Sequence, residues 1–162
     1  MATPTMEPIA TQTLTSAAIG ITFSSIPQGY RDLVVTLHGV FTAGSNNEIG
    51  ARINNSSAAI YDRQILYSDT STVSSGSGQG DNYLSIAYGA GSTTNPIMFE
   101  ANFMEYSNTT RYKSIISQGG TSVGNSIIVS SWGSTAAMTS LYVYSLASNF
   151  AVGSTVSIWG VH

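Results

Sequence analysis

Apolar and polar residues alternate with a period of two along most of this chain, in short runs separated by Gly, Ser and Asn. That is the signature of half-buried β-strands and not of amphipathic helices. "GITFSSI" sets Ile19, Ile21 and Phe23 on one parity. "RDLVVTLHGVF" sets Leu33, Val35 and Leu37 against Val34, Thr36 and His38. "EIGARIN" offers Ile49, Ala51 and Ile53. In "AAIYDRQILY" Ile60 and Ile65 are out of phase, which predicts a break or bulge between them. "NYLSIAYG" alternates poorly but is rich in strand formers. "NPIMFEANFMEY" alternates Ile97, Phe99, Ala101 and Phe103 against Met98, Glu100, Asn102 and Met104. "RYKSIISQG", "GNSIIVSSW", "TSLYVYSL" and "STVSIWGV" complete a set of roughly ten strands at spacings of about ten residues. The pattern predicts an all-β, antiparallel sandwich or barrel.

Three stretches fall outside the alternation. Residues 1–12, with Pro4 and Pro8, read as an extended N-terminal arm, leaving residues 13–162 as one β-domain. Residues 67–81, "YSDTSTVSSGSGQGD", have the composition of a linker, and a loop of that length in a compact domain is either functional or mobile. "STAAMTSL" is the one helical candidate, weakened by its Thr and Ser content. The closing run "STVSIWGVH" alternates Val156 and Ile158 with Ser157 and Trp159, so it is expected to be a central or closing strand.

Composition sharpens this picture. Only 8% of the 162 residues are charged, against about 25% in an average soluble domain. The net charge is −3, and the five cations, Arg31, Arg52, Arg63, Arg111 and Lys113, are scattered. That distribution argues against nucleic acid and against a polybasic membrane-binding patch. Cysteine is absent, so neither disulfides nor thiolate metal sites contribute. The opening "MATPTMEPIATQ" has no basic and apolar regions of a secretory leader, and no apolar run approaches a membrane span.

Catalytic chemistry finds little support. His38 lies mid-strand and His162 is terminal, which suits neither a Ser–His–acid triad nor a zinc site. Glu100 and Glu105 differ by an odd number and would project from opposite faces of one strand, while a cross-strand pair such as Asp32 with Glu100 stays open. "GSGQG" lacks the following helix of a phosphate cradle, and its segment lacks the intermediate ligands of a calcium loop. The expectation is therefore no enzyme, no metal and no cofactor. Nine tyrosines and two tryptophans remain. Tyr142 and Tyr144 share one strand face and are candidates for a subunit or ligand interface.

Three stretches carry a family resemblance. "ITFSSIPQGYRDLVVTLHG", with Phe23 to Pro27, Tyr30, Asp32 and Leu33, resembles the opening of small β-sandwich virion proteins of tailed bacteriophages. "FMEYSNTTRYKSI", with Tyr106, Lys113 and Ser114, is similar to their middle strand and turn. "WGSTAAMTSLYVYSLASNFAVGSTVSIWGV" is similar to their C-terminal signature, although "IWGV" stands where Leu-Tyr-Gly-Ile is commoner and Met138 where Ile is commoner. The segment 67–81 and the arm lie outside the match. The resemblance implies a jelly-roll-like sandwich and a structural role in the virion, as a capsid decoration (cement) protein on the exterior of the head. The expected partners are the major capsid protein of the same particle and further copies of the chain, a homotrimer foremost. The arm, at Pro4, Met6, Pro8 and Ile9, is expected to contact the shell or a neighbouring copy, with Tyr142 and Tyr144 as a second interface. The alternative is a tail-fibre or appendage module that binds a host receptor or carbohydrate, which predicts exposed aromatics beside Asn or Asp. A small glycan hydrolase would instead need two carboxylates facing one cleft.

Overall fold

The alternating runs fold as strands. The computed structural model describes residues 5–44, 46–69, 71–90, 92–121 and 124–162, and among them are twelve strands and no helix. In chain order they are β1 (Met6–Thr13), β2 (Gly20–Phe23), β3 (Asp32–Gly39), β4 (Asn46–Ile53), β5 (Tyr61–Ser68) and β6 (Val73–Asp81). There follow β7 (Leu84–Ala90), β8 (Ile97–Met104), β9 (Lys113–Thr121), β10 (Gly124–Trp132), β11 (Leu141–Ser145) and β12 (Thr155–Val161). They form two antiparallel sheets, an eight-stranded one in the order β1-β12-β3-β8-β9-β10-β5-β6 and a four-stranded one in the order β2-β11-β4-β7.

Ten of the twelve are the runs that alternation predicts. The other two, β1 and β6, are the two edges of the large sheet. From Met6 onward the expected arm is strand β1, paired with β12 along its length with a bulge at Pro8 to Ala10. Deleting residues 1–12 therefore uncovers an edge of β12 instead of trimming a free tail. The expected loop at 67–81 is the end of β5 and the whole of β6, which pairs with β5 from Ser68–Val73 to Tyr61–Asp81. An edge strand has one hydrogen-bonded neighbour and a smaller share of the core, so Ser and Gly suffice there. "STAAMTSL" is not a helix; its Met138 is buried and its last residues enter β11.

The inward parities meet in one core. Leu33, Val35 and Leu37 of β3 and Phe99, Ala101 and Phe103 of β8 pack beneath Ile49, Ala51 and Ile53 of β4 and Leu141 and Val143 of β11. The irregular alternation of β7 has a definite cause. Ile49 pairs with Ala87 and Gly50 with Ser85, so Ile86 is an extra residue in a bulge, and Leu84, Ile86 and Ala87 are all buried. β7 is an edge of the small sheet, and serines of β10 complete its backbone bonding. Ser130 Oγ donates to Ser85 O at 3.0 Å, and Tyr88 N donates to Ser126 Oγ at 3.2 Å. Serine inside this layer replaces the missing neighbour strand.

β12 lies between β1 and β3, as the closing alternation predicted. Its Gly160 pairs with Glu7 on one side and Leu33 on the other, and the Tyr30 ring lies directly over it, where any Cβ would collide. Tyr30 then donates its hydroxyl to Glu7 Oε2 at 3.0 Å and meets the His162 ring edge-on at 4.9 Å between centroids. Gly160→Ala is expected to cost about 1–3 kcal/mol in urea denaturation. Tyr30→Ala in the same chain should remove most of that increment, giving a coupling of about 1 kcal/mol or more in a double-mutant cycle.

Candidate docking surfaces

Register and burial fix what the outer face of the large sheet presents. In β10 the buried positions alternate with exposed Asn125, Ile127 and Val129; in β9 with Ser114, Ile116 and Gln118; in β8 with Met98 and Glu100. Cross-strand pairing sets these into rows. One row runs Ser157, Thr36, Glu100, Gln118, Ile127, Leu66 and Ser75, from β12 to β6. The next runs Pro8, Trp159, Val34, Asn102, Ile116, Val129 and Gln64. Leu66, Ile116, Ile127 and Val129 thus form one contiguous apolar patch, each about half exposed (44–53%), and Met98 lies nearby at 58%. Isolated exposed apolar residues are ordinary, whereas a contiguous patch on one sheet face makes that face a candidate interaction surface.

Of the five cations only Arg31 reaches this face, at its margin, where it pairs with Asp32. Arg31 precedes β3, Arg52 is in β4, Arg63 reaches Glu48 of the other sheet, Arg111 is in the β8–β9 turn and Lys113 is buried. Its acids are Asp32, Asp62 and Glu100. Asp32 accepts from Glu105 N at 2.8 Å and pairs with Arg31, Asp62 accepts from Gly80 N at 2.9 Å, and Glu100 accepts from Asn102 at 3.1 Å. Beside the patch lies an open hollow of about 830 Å³, lined by Thr36, His38, Met98, Glu100, Gln118 and Asn125 among others. The register does not set the cross-strand carboxylates left open by the sequence opposite each other: Glu100 is paired with Thr36, four residues along β3 from Asp32, an offset of about 13 Å at strand rise. Among the described residues no group of three or more His, Asp or Glu could hold a metal ion.

The outer face of the small sheet differs. Tyr142 and Tyr144 project from it, as the alternation of β11 predicts, with Leu141 and Val143 in the core. Their rings stack 4.9 Å apart and nearly parallel, at 6°, and the Arg52 guanidinium lies 5.3 Å from the Tyr144 centroid. Beyond Tyr142 is a hollow of about 320 Å³ lined by Thr22, Ser24, Asn55, Ser140 and Tyr142.

The expected interface residues therefore separate. Met6 and Pro8 are exposed on the outer face of the large sheet, registered with Val161 and Trp159. Ile9 is partly buried and packs against the core, and Pro4 lies outside the described residues. Tyr142 and Tyr144 sit on the opposite sheet. The apolar patch itself was missed by sequence reasoning, yet a signal existed. "SII", "IIV" and "IL" place apolar residues on both parities of β9, β10 and β5, which gives those strands two apolar faces.

Tyr106 and Lys113, singled out in the sequence, are fasteners. Tyr106 is fully buried and donates its hydroxyl to Pro27 O. Lys113, also buried, donates to Asn108 O at 2.5 Å and Arg111 O at 2.9 Å, and its ammonium lies 5.9 Å from the Trp132 ring. Burial pulls its pKa below the usual lysine value. Glu48 of β4 joins the two sheets by pairing with Arg63 of β5, and Tyr83 donates to Glu48 at 3.0 Å while accepting from Arg63 at 2.8 Å.

Burial pushes the Tyr83 phenol up to about 12, and raises Tyr61, Tyr106 and Tyr144 above their ordinary value of 10.0. Between pH 10 and about 12 the folded chain then holds protons that the unfolded chain has released, so stability falls as pH rises through that window. Lys113, with its lowered value, acts in the opposite sense below 10.5 but is one group against five tyrosines, since the hydrogen bond to Glu7 raises Tyr30 as well. Denaturant midpoints should drop above pH 10, and the drop should be smaller in Tyr83→Phe than in the parent chain.

Compared with known proteins, the chain matches no family model, no curated protein and no solved structure.

Proposed function

We propose that this chain is a non-enzymatic structural protein of a tailed-bacteriophage particle, a decoration protein that binds the exterior of the head and bridges units of its major capsid protein. The carrying observation is the uncovered outer face of the eight-stranded sheet, with Leu66, Ile116, Ile127 and Val129 contiguous on it. Eight strands at ~4.8 Å spacing and about 25 Å of strand length give roughly 850 Å², close to the ~800 Å² per partner of a standard specific interface. Burying that area stabilises the assembled state over the dissociated one by mass action. The Glu100 carboxylate, bonded to Asn102 and to no cation among the described residues, favours a shell surface with Lys or Arg opposite it.

The strand orders support reading the sandwich as a jelly roll. In that reading β1-β12-β3-β8 and β2-β11-β4-β7 are its two four-stranded sheets, and the hairpins β9–β10 and β5–β6 extend the first. The open edge of β6, with no Lys or Pro to block pairing, supports contacts between copies, and a homotrimer at a symmetry axis of the shell is the assembly we propose.

Immunogold labelling of particles tests the location, and co-sedimentation with stripped heads tests the face. Label is expected over the heads, and label confined to tails would favour the appendage alternative. Ile127→Lys and Val129→Lys lie at exposed positions and should leave the fold intact while lowering occupancy on heads at least tenfold. Undiminished occupancy would show that another surface makes the contact.

A further inference from the structure

The outer face of the small sheet carries a second, independent feature. Tyr144 is registered between Gly20 and Gly50, and Tyr142 between Thr22 and Arg52. A Cβ at Gly20 would lie 2.6 Å from both the Tyr142 ring and Tyr144 Cβ, and one at Gly50 3.4 Å from Tyr144 Cζ. Glycine at position 20 leaves the room in which the two rings lie parallel, Gly50 is crowded first by Leu146 and Tyr83, and the Arg52 guanidinium lies over the Tyr144 ring. One register step further, away from Tyr144, no third ring follows. Small polar side chains stand there instead: Ser24 on β2's side, Ser140 ahead of β11, and Asn55 after β4. The stack therefore ends against the hollow of about 320 Å³, with Tyr142 as its wall.

The backbone at two of the other walls, Thr22 and Ser140, is held in place. Asn54 Oδ1 accepts from Thr139 N at 2.8 Å and Ser140 N at 3.1 Å, and its Nδ2 donates to Ala137 O at 2.8 Å, which pins the segment bearing Ser140. Gln12 Nε2 donates to Thr22 O at 2.8 Å. Asn54 and Asn55 both adopt left-handed backbone, at φ 53° and 56°, which turns the chain sharply at this point. A stacked aromatic wall beside backbone held at Thr22 and Ser140 is a partly preorganised site, which lowers the ordering cost of binding.

We infer that this hollow is a binding site for one neutral pyranose ring, a sugar unit whose apolar C–H face stacks on Tyr142 while its hydroxyls bond to Thr22, Ser24, Asn55 and Ser140. The lining has hydroxyls and one amide, which both donate and accept, and no charged group, which matches a neutral polyol. Its volume suits one ring and lies at the small end of ligand pockets. The assignment does not rest on the capsid reading. It concerns the opposite sheet, and either can fail alone.

Saturation-transfer NMR of the full chain with the methyl glycosides of glucose, galactose, mannose and N-acetylglucosamine tests it, with adenosine as a planar non-sugar ring. At least one glycoside should receive saturation on the protons of one ring face, with millimolar affinity. Tyr142→Ala should weaken that binding at least tenfold and Tyr142→Phe should retain it. Ser140→Phe, which fills the hollow and leaves the tyrosines in place, should abolish it. Asn54→Ala, a positioning change, should weaken binding without touching the sugar. No transfer to any glycoside, transfer to adenosine alone, or binding undiminished in both Tyr142→Ala and Ser140→Phe would overturn the assignment.

Discussion

The fold depends on one insertion, the seating of β12 between β1 and β3. These three strands come from the two ends of the sequence and from its first third, so none of the intervening chain can finish the large sheet without them. The insertion dictates local chemistry as well. Gly160 must lack a side chain because Tyr30 covers it, and Tyr30 in turn gathers Glu7 of β1 and His162 beyond β12. The glycine of the closing Trp-Gly-Val is thus a packing requirement. So are the buried Tyr106 and Lys113, whose polar atoms are spent on backbone carbonyls of the turns around them.

With the core closed this way, the two sheets are left with unlike outer faces. The large sheet offers breadth, aliphatic side chains and the Glu100 carboxylate. The small sheet offers a narrow aromatic stack ending in a polar hollow. A broad apolar face suits a protein surface, because its favourable energy scales with area. A small hollow with hydroxyls suits a small polar molecule, because specificity there comes from a few placed hydrogen bonds. On a particle gripped by the large sheet, the small sheet would face the medium.

Much of the fold was legible because alternation is a direct consequence of having one buried face. β3, β4, β8 and β11 were readable residue by residue, down to the outward Tyr142 and Tyr144. β1 and β6 were not, and both are edges. Pro8 sits at a bulge that an edge tolerates, and "VSSGSGQGD" has no apolar parity because its strand covers little core. Gly76, Gly78 and Gly80 do recur with period two, a strand signal hidden by a linker-like composition. The apolar patch was obscured for the opposite reason. Consecutive isoleucines satisfy the core reading with one residue and conceal that the next points outward. The hollow beside Tyr142 was out of reach of local pattern altogether, since Ser24, Asn55 and Ser140 meet only through the register of three strands.

The most direct test of the central claim, that the large sheet is the docking face, is covalent footprinting of the protein on intact particles against the free protein. The account predicts that Met98, Ile116, Ile127 and Val129 lose reactivity on the particle while Tyr142 keeps its own. Protection of Tyr142 and Tyr144 with unchanged reactivity at those four positions would contradict it.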